Sequence, residues 1–246
     1  MIEPAASEIL AAIDATWPPA RCTEAGGWRL RVGEGGGKRV SAATAEAGDP
    51  DIAALAAAQC GLGQAPLAML RPDETDLDAR LAAEGYDRID PVTVYLAPTA
   101  TLTAPPPPVR AFLVSWPPLA TQVEIWAAGG IGAGRLAVMN RVTAPKIALL
   151  GRSSDRPAGA GFAAAAGKIA MLHALEVAEP LRRTGTARYM VSAAAIWAEA
   201  QGADWFCALA TESNAPSNAL FRSLGLRAVT GYHYRSKRRP GGTDHG

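Results

Sequence analysis

The sequence predicts an α/β (α+β) chain with two mixed-sheet domains flanked by helices, and three observations carry that expectation. Residues 97–110, APTATLTAPPPPVR, include four consecutive prolines, which enter neither a helix nor a central strand, so an extended, stiff connector is expected. The segment after it is strand-rich at first and then alternates strand, helix, strand, helix, strand, the order of a mixed α/β sheet. The segment before it repeats the last part of that order in a weaker form. The domains are therefore placed at 1–100 and 110–240, with 101–109 as linker, and both have ordinary domain sizes.

Taken in order, GWRLRV (27–32) and RVSAA (39–43) alternate apolar and polar residues. The intervening GEGGGKR (33–39) then reads as a hairpin turn. It is a poor phosphate loop, because Lys38 is followed by Arg39 and not by Ser or Thr. TAEAGDPDIA (44–53) carries Glu46, Asp49 and Asp51 with no basic residue, which suits a helix cap and would repel an anion. Residues 55–97 then read as helix, strand, helix ending at Gly85, and an aromatic-containing strand. After the connector, residues 117–141 fit a helix pair joined by a glycine-rich turn. KIALLGR (146–152), GAGFAAAA (159–166) and KIAMLHALEV (168–177) read as three strands separated by SSDRP and Gly167. Ala187, Met190, Val191, Ala194, Trp197 and Ala198 share one helical face, and Gly202 ends that helix. DWFCALAT (204–211) is a buried strand, SNAPSNALFRSLG (213–225) a capped helix, and VTGYHYR (229–235) a final strand.

Composition narrows the function classes. With 49% hydrophobic residues, 19% charged residues and a formal charge of +1, the chain reads as an ordinary soluble protein, which gives nucleic-acid or membrane partners little support. Arg235, Lys237, Arg238 and Arg239 form a small basic cluster, expected to be a solvated tail. Cys22, Cys60 and Cys207 are far apart, with no paired-cysteine or histidine-rich pattern. Neither a disulfide framework nor a metal site is expected, and a reducing cytoplasm fits. No secretory or membrane-spanning segment is expected, since MIEPAASEIL is acidic and Lys168 interrupts the longest apolar stretch.

The strongest chemical signal is LRRTGTARYM (181–190), two arginines, a glycine and two threonines between a strand and a helix. The first N–H groups of a helix lack intrahelical partners and carry partial positive charge, so a phosphate or pyrophosphate suits this turn. Gly185 lets the backbone approach the ligand, Ala187 keeps the next turn small, and Arg182, Arg183 and Arg188 supply charge.

Arg-x-x-Gly-x-Ala after a strand ending LEV, followed by NAPSNALFRSLGL (214–226), resembles the GCN5-related N-acetyltransferase (GNAT) superfamily. Asn214, Leu220 and Gly225 fall in register with that family's second motif. The resemblance covers roughly residues 110–237, and extends more faintly to the first half as the degenerate copy of a tandem, two-domain member. It implies acetyl-CoA as cosubstrate, no metal, and a small-molecule or peptide amine as acceptor, with dimerisation left open. It further implies a cofactor site made by the backbone near Leu175 and Val177, by Arg182, Arg183, Thr184, Gly185, Thr186, Ala187 and Arg188, and by Asn214 and Phe221. Asn214 also suits a helix cap, and the two roles are compatible.

Glu176 is the expected general base, because it interrupts an apolar strand at the reactive end, where burial strengthens a carboxylate as a base. Its alternative role is partner to an arginine from a neighbouring element, and Glu179, directly after the strand, is a weaker candidate for the base. Period-two alternation puts His173 on the opposite face from Glu176, as a hydrogen-bonded core histidine. The family's usual acid, a tyrosine, is replaced by Phe221, leaving Tyr232, Tyr234 or Ser217 as substitutes. Glu124, Trp126 and Arg141 are the acceptor-pocket residues if 117–141 is more than a helix pair. An N-acetyltransferase and a non-catalytic acyl-CoA-binding protein of the same fold both remain open.

Overall fold

The computed structural model describes residues 2–46, 49–103, 111–114 and 116–237, with only the backbone for 111–113. The four prolines of the connector, Arg238 and Arg239 lie outside the described residues. In chain order come α1 (Ala6–Thr16), β1 (Arg21–Ala25), β2 (Trp28–Val32), β3 (Thr44–Ala45), α2 (Ile52–Gly61), β4 (Leu67–Leu70), α3 (Thr75–Ala83) and β5 (Asp87–Pro98). They are followed by β6 (Ala111–Val114), α4 (Ala120–Ala128), α5 (Ala133–Arg141), β7 (Lys146–Ser153), β8 (Arg156–Ala166) and β9 (Ile169–Val177). Last come α6 (Thr186–Ala200), β10 (Trp205–Thr211), α7 (Ala215–Ser223) and β11 (Arg227–Ser236). The chain is thus mixed α/β, as the sequence predicts.

It divides into two compact units. The first comprises Met1–Pro18, Thr93–Ala210 and Asn214–Thr230, and the second Pro19–Val92, Thr211–Ser213 and Gly231–Gly246. This differs from a division in chain order at residues 101–109. The reason is burial: Ile9, Ile13 and Trp17 of the N-terminal segment, with Tyr95 and Leu96 of β5, are core residues, and Trp17 meets Phe162 of β8 edge to face at 6.2 Å.

In the first unit the strands run β5-β10-β9-β8-β7-β6. β6 to β9 are antiparallel neighbours, whereas β9 and β10 are parallel. α6 covers one face through Met190, Val191, Ala194 and Ala198, packed with Leu149, Ala163, Ala170, Leu172 and Phe206. Its first turns come very close to the sheet. A Cβ on Gly151 would lie 2.6 Å from both Met190 Sδ and Thr186 Cγ2, and one on Gly159 2.8 Å from Met190 Sδ. Only glycine at these positions lets the start of α6 settle so low on the sheet.

In the second unit β1, β2 and β3 form an antiparallel sheet. Trp28, Leu30, Leu55, Leu70, Leu81 and Tyr86 form its core with α2 and α3. GEGGGKR does connect β2 to β3, but by way of a short 3-10 turn at Lys38–Val40, and the β1–β2 hairpin precedes it. β4 pairs antiparallel with β11 from Leu70↔His233 to Leu67↔Ser236. Asp78 on α3 accepts from Arg235 Nε at 2.7 Å and Nη2 at 2.9 Å, and meets His233 Nε2 at 2.7 Å. The Arg235 hydrogen bonds, aided by His233, hold the Asp78 carboxyl down to about 2. Arg235 is therefore a clamp, not part of a solvated tail.

The last strands of the two halves have changed places. Thr93–Pro98 of β5 belongs to the first unit and Gly231–Ser236 of β11 to the second. In the first unit Tyr95 on β5 donates to Asn218 on α7 at 2.8 Å. Counted from Gly85 and Gly225, Tyr95 and Arg235 are both ten residues later, and Asp78 and Asn218 both seven earlier. The two halves thus pin the exchanged strands at matching positions, one with an ionic pair and the other with a neutral one.

Candidate active site

β9 pairs with β10 only from Ile169↔Trp205 to Leu172↔Ala208, yet both strands continue, to Val177 and Thr211. Their ends are therefore splayed. The β8–β9 register slips between Ala160 and Phe162, where Ala174 takes a φ of 49°. This is a β-bulge, which re-aims the side chains after it. One consequence corrects the alternation argument: with an extra residue between them, His173 and Glu176 lie on the same face of the strand. His173 is buried there, 2.9 Å from Thr16 Oγ1 and stacked near Trp17. Since the Thr16 hydroxyl donates to Ala12 O at 2.7 Å, the imidazole Nε2 is the donor to Thr16.

Past the bulge, Ala178 N–H bonds back to Ala158 O on β8 at 2.8 Å. Alternation then directs the backbone groups of Val177 and Leu175 to the open edge. The chain next makes a 3-10 turn at Glu179–Leu181, places Arg183 at a φ of 67°, and enters α6 through Gly185 at φ 84°. Left-handed backbone is the reason for glycine here. As N-cap, Gly185 offers no side chain to the first-turn N–H groups of α6. α2 is the opposite case: Asp51 Oδ1 accepts from Ala53 N at 2.9 Å and Ala54 N at 3.2 Å. The first half caps its helix with its own anion, and the second leaves the equivalent end open to another.

Open edge, turn and helix ends together bound a cleft of about 490 Å³. Leu175, Glu176 and Val177 line it from β9, and Arg182, Arg183, Gly185, Thr186, Ala187 and Arg188 from the turn, with Asn214 opposite. Two expected residues are not on its wall. Thr184 turns its hydroxyl to Leu181 O and Thr186 Oγ1, while Phe221 is buried with its ring 5.5 Å from Tyr95. Leu181, Pro216, Ser217 and Leu220 do line the cleft; the last three are on α7, where helical periodicity alone does not say which face meets solvent. Asn214 caps α7 by accepting from Ser217 N at 3.1 Å. Of the substitute acids, Ser217 is at the cleft, whereas Tyr232 and Tyr234 are buried in the second unit, where Arg39 donates to the Tyr232 hydroxyl.

The Glu176 carboxylate is 19% exposed and accepts from Arg182 Nη2 at 3.2 Å. It rests on the turn after α4: a Cβ on Gly129 would come within 2.5 Å of Glu176 Cδ. α4 and α5 are the expected helix pair. Trp126 is fully buried and donates its indole N–H to Ala174 O at 2.8 Å, at the bulge itself, and Glu124 is exposed.

The sequence from 121 to 226 matches the model of the acetyltransferase (GNAT) family. These residues are a GNAT domain. Solved structures agree on the fold. A GCN5-related N-acetyltransferase from Kribbella flavida is 18% identical, with 98% of each chain covered and a TM-score of 0.70. A protein of unknown function from Staphylococcus epidermidis is 10% identical, covering 89% of this chain and 94% of the other, with a TM-score of 0.65. A tandem GNAT protein from the clavulanic acid biosynthesis pathway is 15% identical, covering 90% and 84%, with a TM-score of 0.59. No curated protein matches the sequence at a significant level. The GNAT domain spans α4 to α7 and so contains the whole cleft. Among the described residues, no helix is long and apolar enough to cross a membrane.

Proposed function

We propose that the protein is an acyl-CoA-dependent N-acetyltransferase that transfers acetyl from acetyl-CoA to a primary amine of a small molecule or peptide in a reducing cytoplasm. The observation that carries this reading is the joining, in one cleft, of an uncapped helix start behind left-handed Gly185 with a strand edge at Leu175 and Val177 that β10 does not pair. The first fits a pyrophosphate, with Arg183 and Arg188 beside it. The second fits the amide-bearing arm of the same molecule, which adds to a strand edge through main-chain hydrogen bonds. The Val177 N–H is suited to stabilise the oxyanion that develops on the thioester carbonyl. Glu176 takes the proton of the attacking amine, directly or through water. Residues 1–100 are proposed as a degenerate copy, since α2 carries its own capping acid.

A second reading, an acyl-CoA-binding protein without turnover, draws support from Phe221 turning into the core and from Arg182 holding Glu176. Thermal shift with acetyl-CoA, free CoA and ATP tests both readings, because a selective ligand raises stability by RT ln(1 + [L]/Kd). Equal or absent shifts for all three ligands would overturn them together. Thiol release from acetyl-CoA across a panel of amines separates the two readings, and activity retained in Glu176→Gln would remove Glu176 as base.

A further inference from the structure

Arg182 occupies the two groups in the cleft that the proposed chemistry needs. Its Nε donates to Val177 O at 3.0 Å, and its Nη2 to Glu176 Oε1 at 3.2 Å. Val177 O belongs to the splayed edge, where β10 no longer pairs with β9, so Arg182 supplies the hydrogen bond that the missing strand would have made. A backbone carbonyl can accept again, but the guanidinium stands in the path of any amide that approaches this edge in the strand direction. The same side chain neutralises the carboxylate proposed as base. Its hold is weak: Arg182 is 54% exposed, and an ion pair at the surface contributes little in water.

We propose that Arg182 is a displaceable latch that keeps the strand edge and Glu176 closed until a phosphate draws its guanidinium away. This rests on the acyl-CoA reading above. Arg182 starts the turn that leads through Arg183 to Gly185, so a swing toward the open start of α6 moves it from the arm side of the cleft to the phosphate side. A ligand with a pyrophosphate recovers the lost contacts as charge-assisted bonds to the same arginine. A ligand with the arm alone must displace Arg182 and gains nothing in return. The phosphate end of the ligand thereby controls access to the arm site, and Glu176 becomes free to take a proton only when the cosubstrate is in place. Binding in that order prevents an amine from meeting an active base with no acyl donor present.

The test compares two probes by titration calorimetry: acetyl-CoA, and S-acetylpantetheine, which has the arm and no phosphate. The wild type, Arg182→Ala and Arg183→Ala are each titrated with both. The latch predicts that Arg182→Ala binds S-acetylpantetheine about three- to fivefold more tightly than the wild type, the scale of one exposed ion pair. Acetyl-CoA is expected to bind Arg182→Ala no more tightly than wild type. Arg183→Ala, which removes a charge but no hydrogen bond or ion pair to Val177 or Glu176, is expected to leave S-acetylpantetheine binding unchanged. S-acetylpantetheine binding no tighter in Arg182→Ala than in the wild type, including undetectable binding by both, overturns the latch. If the wild type fails to bind acetyl-CoA, the acyl-CoA reading itself falls, and the latch with it.

Discussion

Replacing Gly129 with alanine tests how the turn after α4 seats the Glu176 carboxylate. Gly129 has φ −86° and ψ 11°, values any residue adopts, so the backbone tolerates the change. The new methyl group does not fit: it would lie 2.5 Å from Glu176 Cδ, 2.6 Å from Cγ and 2.7 Å from Oε2. Overpacking of this kind costs about 1–3 kcal/mol. Here the cost is expected near the lower end, about 1 kcal/mol, because the obstructing atoms belong to a side chain that retains some solvent access and can rotate outward. Rotation carries the carboxylate away from Arg182. Urea unfolding of the wild type, Gly129→Ala, Glu176→Ala and the double variant forms a mutant cycle. The alanine penalty should vanish in the Glu176→Ala background, giving a coupling of about 1 kcal/mol. An unchanged penalty in that background would refute the contact, since the methyl group would then be clashing with something else.

Asp78→Asn should destabilise the second unit in a pH-dependent way. A carboxyl held near 2 instead of 3.8 contributes at most about 2 kcal/mol, fully present above pH ~4 and lost as pH falls through 2. Unfolding midpoints of the wild type and variant should therefore differ at pH 7 and converge in acid, and a constant difference would count against the Arg235 clamp. Gly185→Val should abolish acetyl-CoA binding. Its φ of +84° costs a β-branched residue about 1–2 kcal/mol, and the added Cβ would press on Tyr189 at 3.3 Å; wild-type affinity in a titration would refute the proposed loop geometry. A chain reduced to residues 110–246 should lack a cooperative unfolding transition, because it loses Tyr95, Ile9, Ile13 and Trp17 from the core of the first unit. A sharp thermal transition in that fragment would contradict the division into units described above.

Much of the second half was legible because its signals are local. Three apolar strands broken at SSDRP and Gly167, and a helix with one apolar face ending near Gly202, appear as β7, β8, β9 and α6 within a few residues of expectation. The turn at Gly185 was legible for the same reason, since a left-handed residue and an uncapped helix start are set by neighbouring residues. What the sequence hid was long-range. Nothing in DLDARL or GYHYR says that Asp78 meets Arg235, and nothing near Trp17 points to Phe162, because the cause of each contact lies over a hundred residues away. The bulge at Ala174 was invisible too: alanine has no preference for positive φ, and the extra residue shows only when β8 is laid beside β9. That single residue turned His173 and Glu176 onto one face. The Arg182–Glu176 pair was foreseen only as an arginine of unstated origin.

The exchange of terminal strands also sets a timetable for the ribosome. Thr16 and His173 are 157 residues apart, so at about 5–20 residues per second α1 waits roughly 8–30 s for the strands that cover Ile9, Ile13 and Trp17. β5 waits for α7 and β10 in the same way, and the second unit remains incomplete until β11 is made. Ile9, Ile13 and Trp17 of α1 and its end, with Tyr95 and Leu96 of β5, therefore leave the ribosome exposed, before the strands and helices that cover them are synthesised. The first unit of such a chain closes late in synthesis, and its yield in a host cell should depend on chaperones that shield apolar side chains until then.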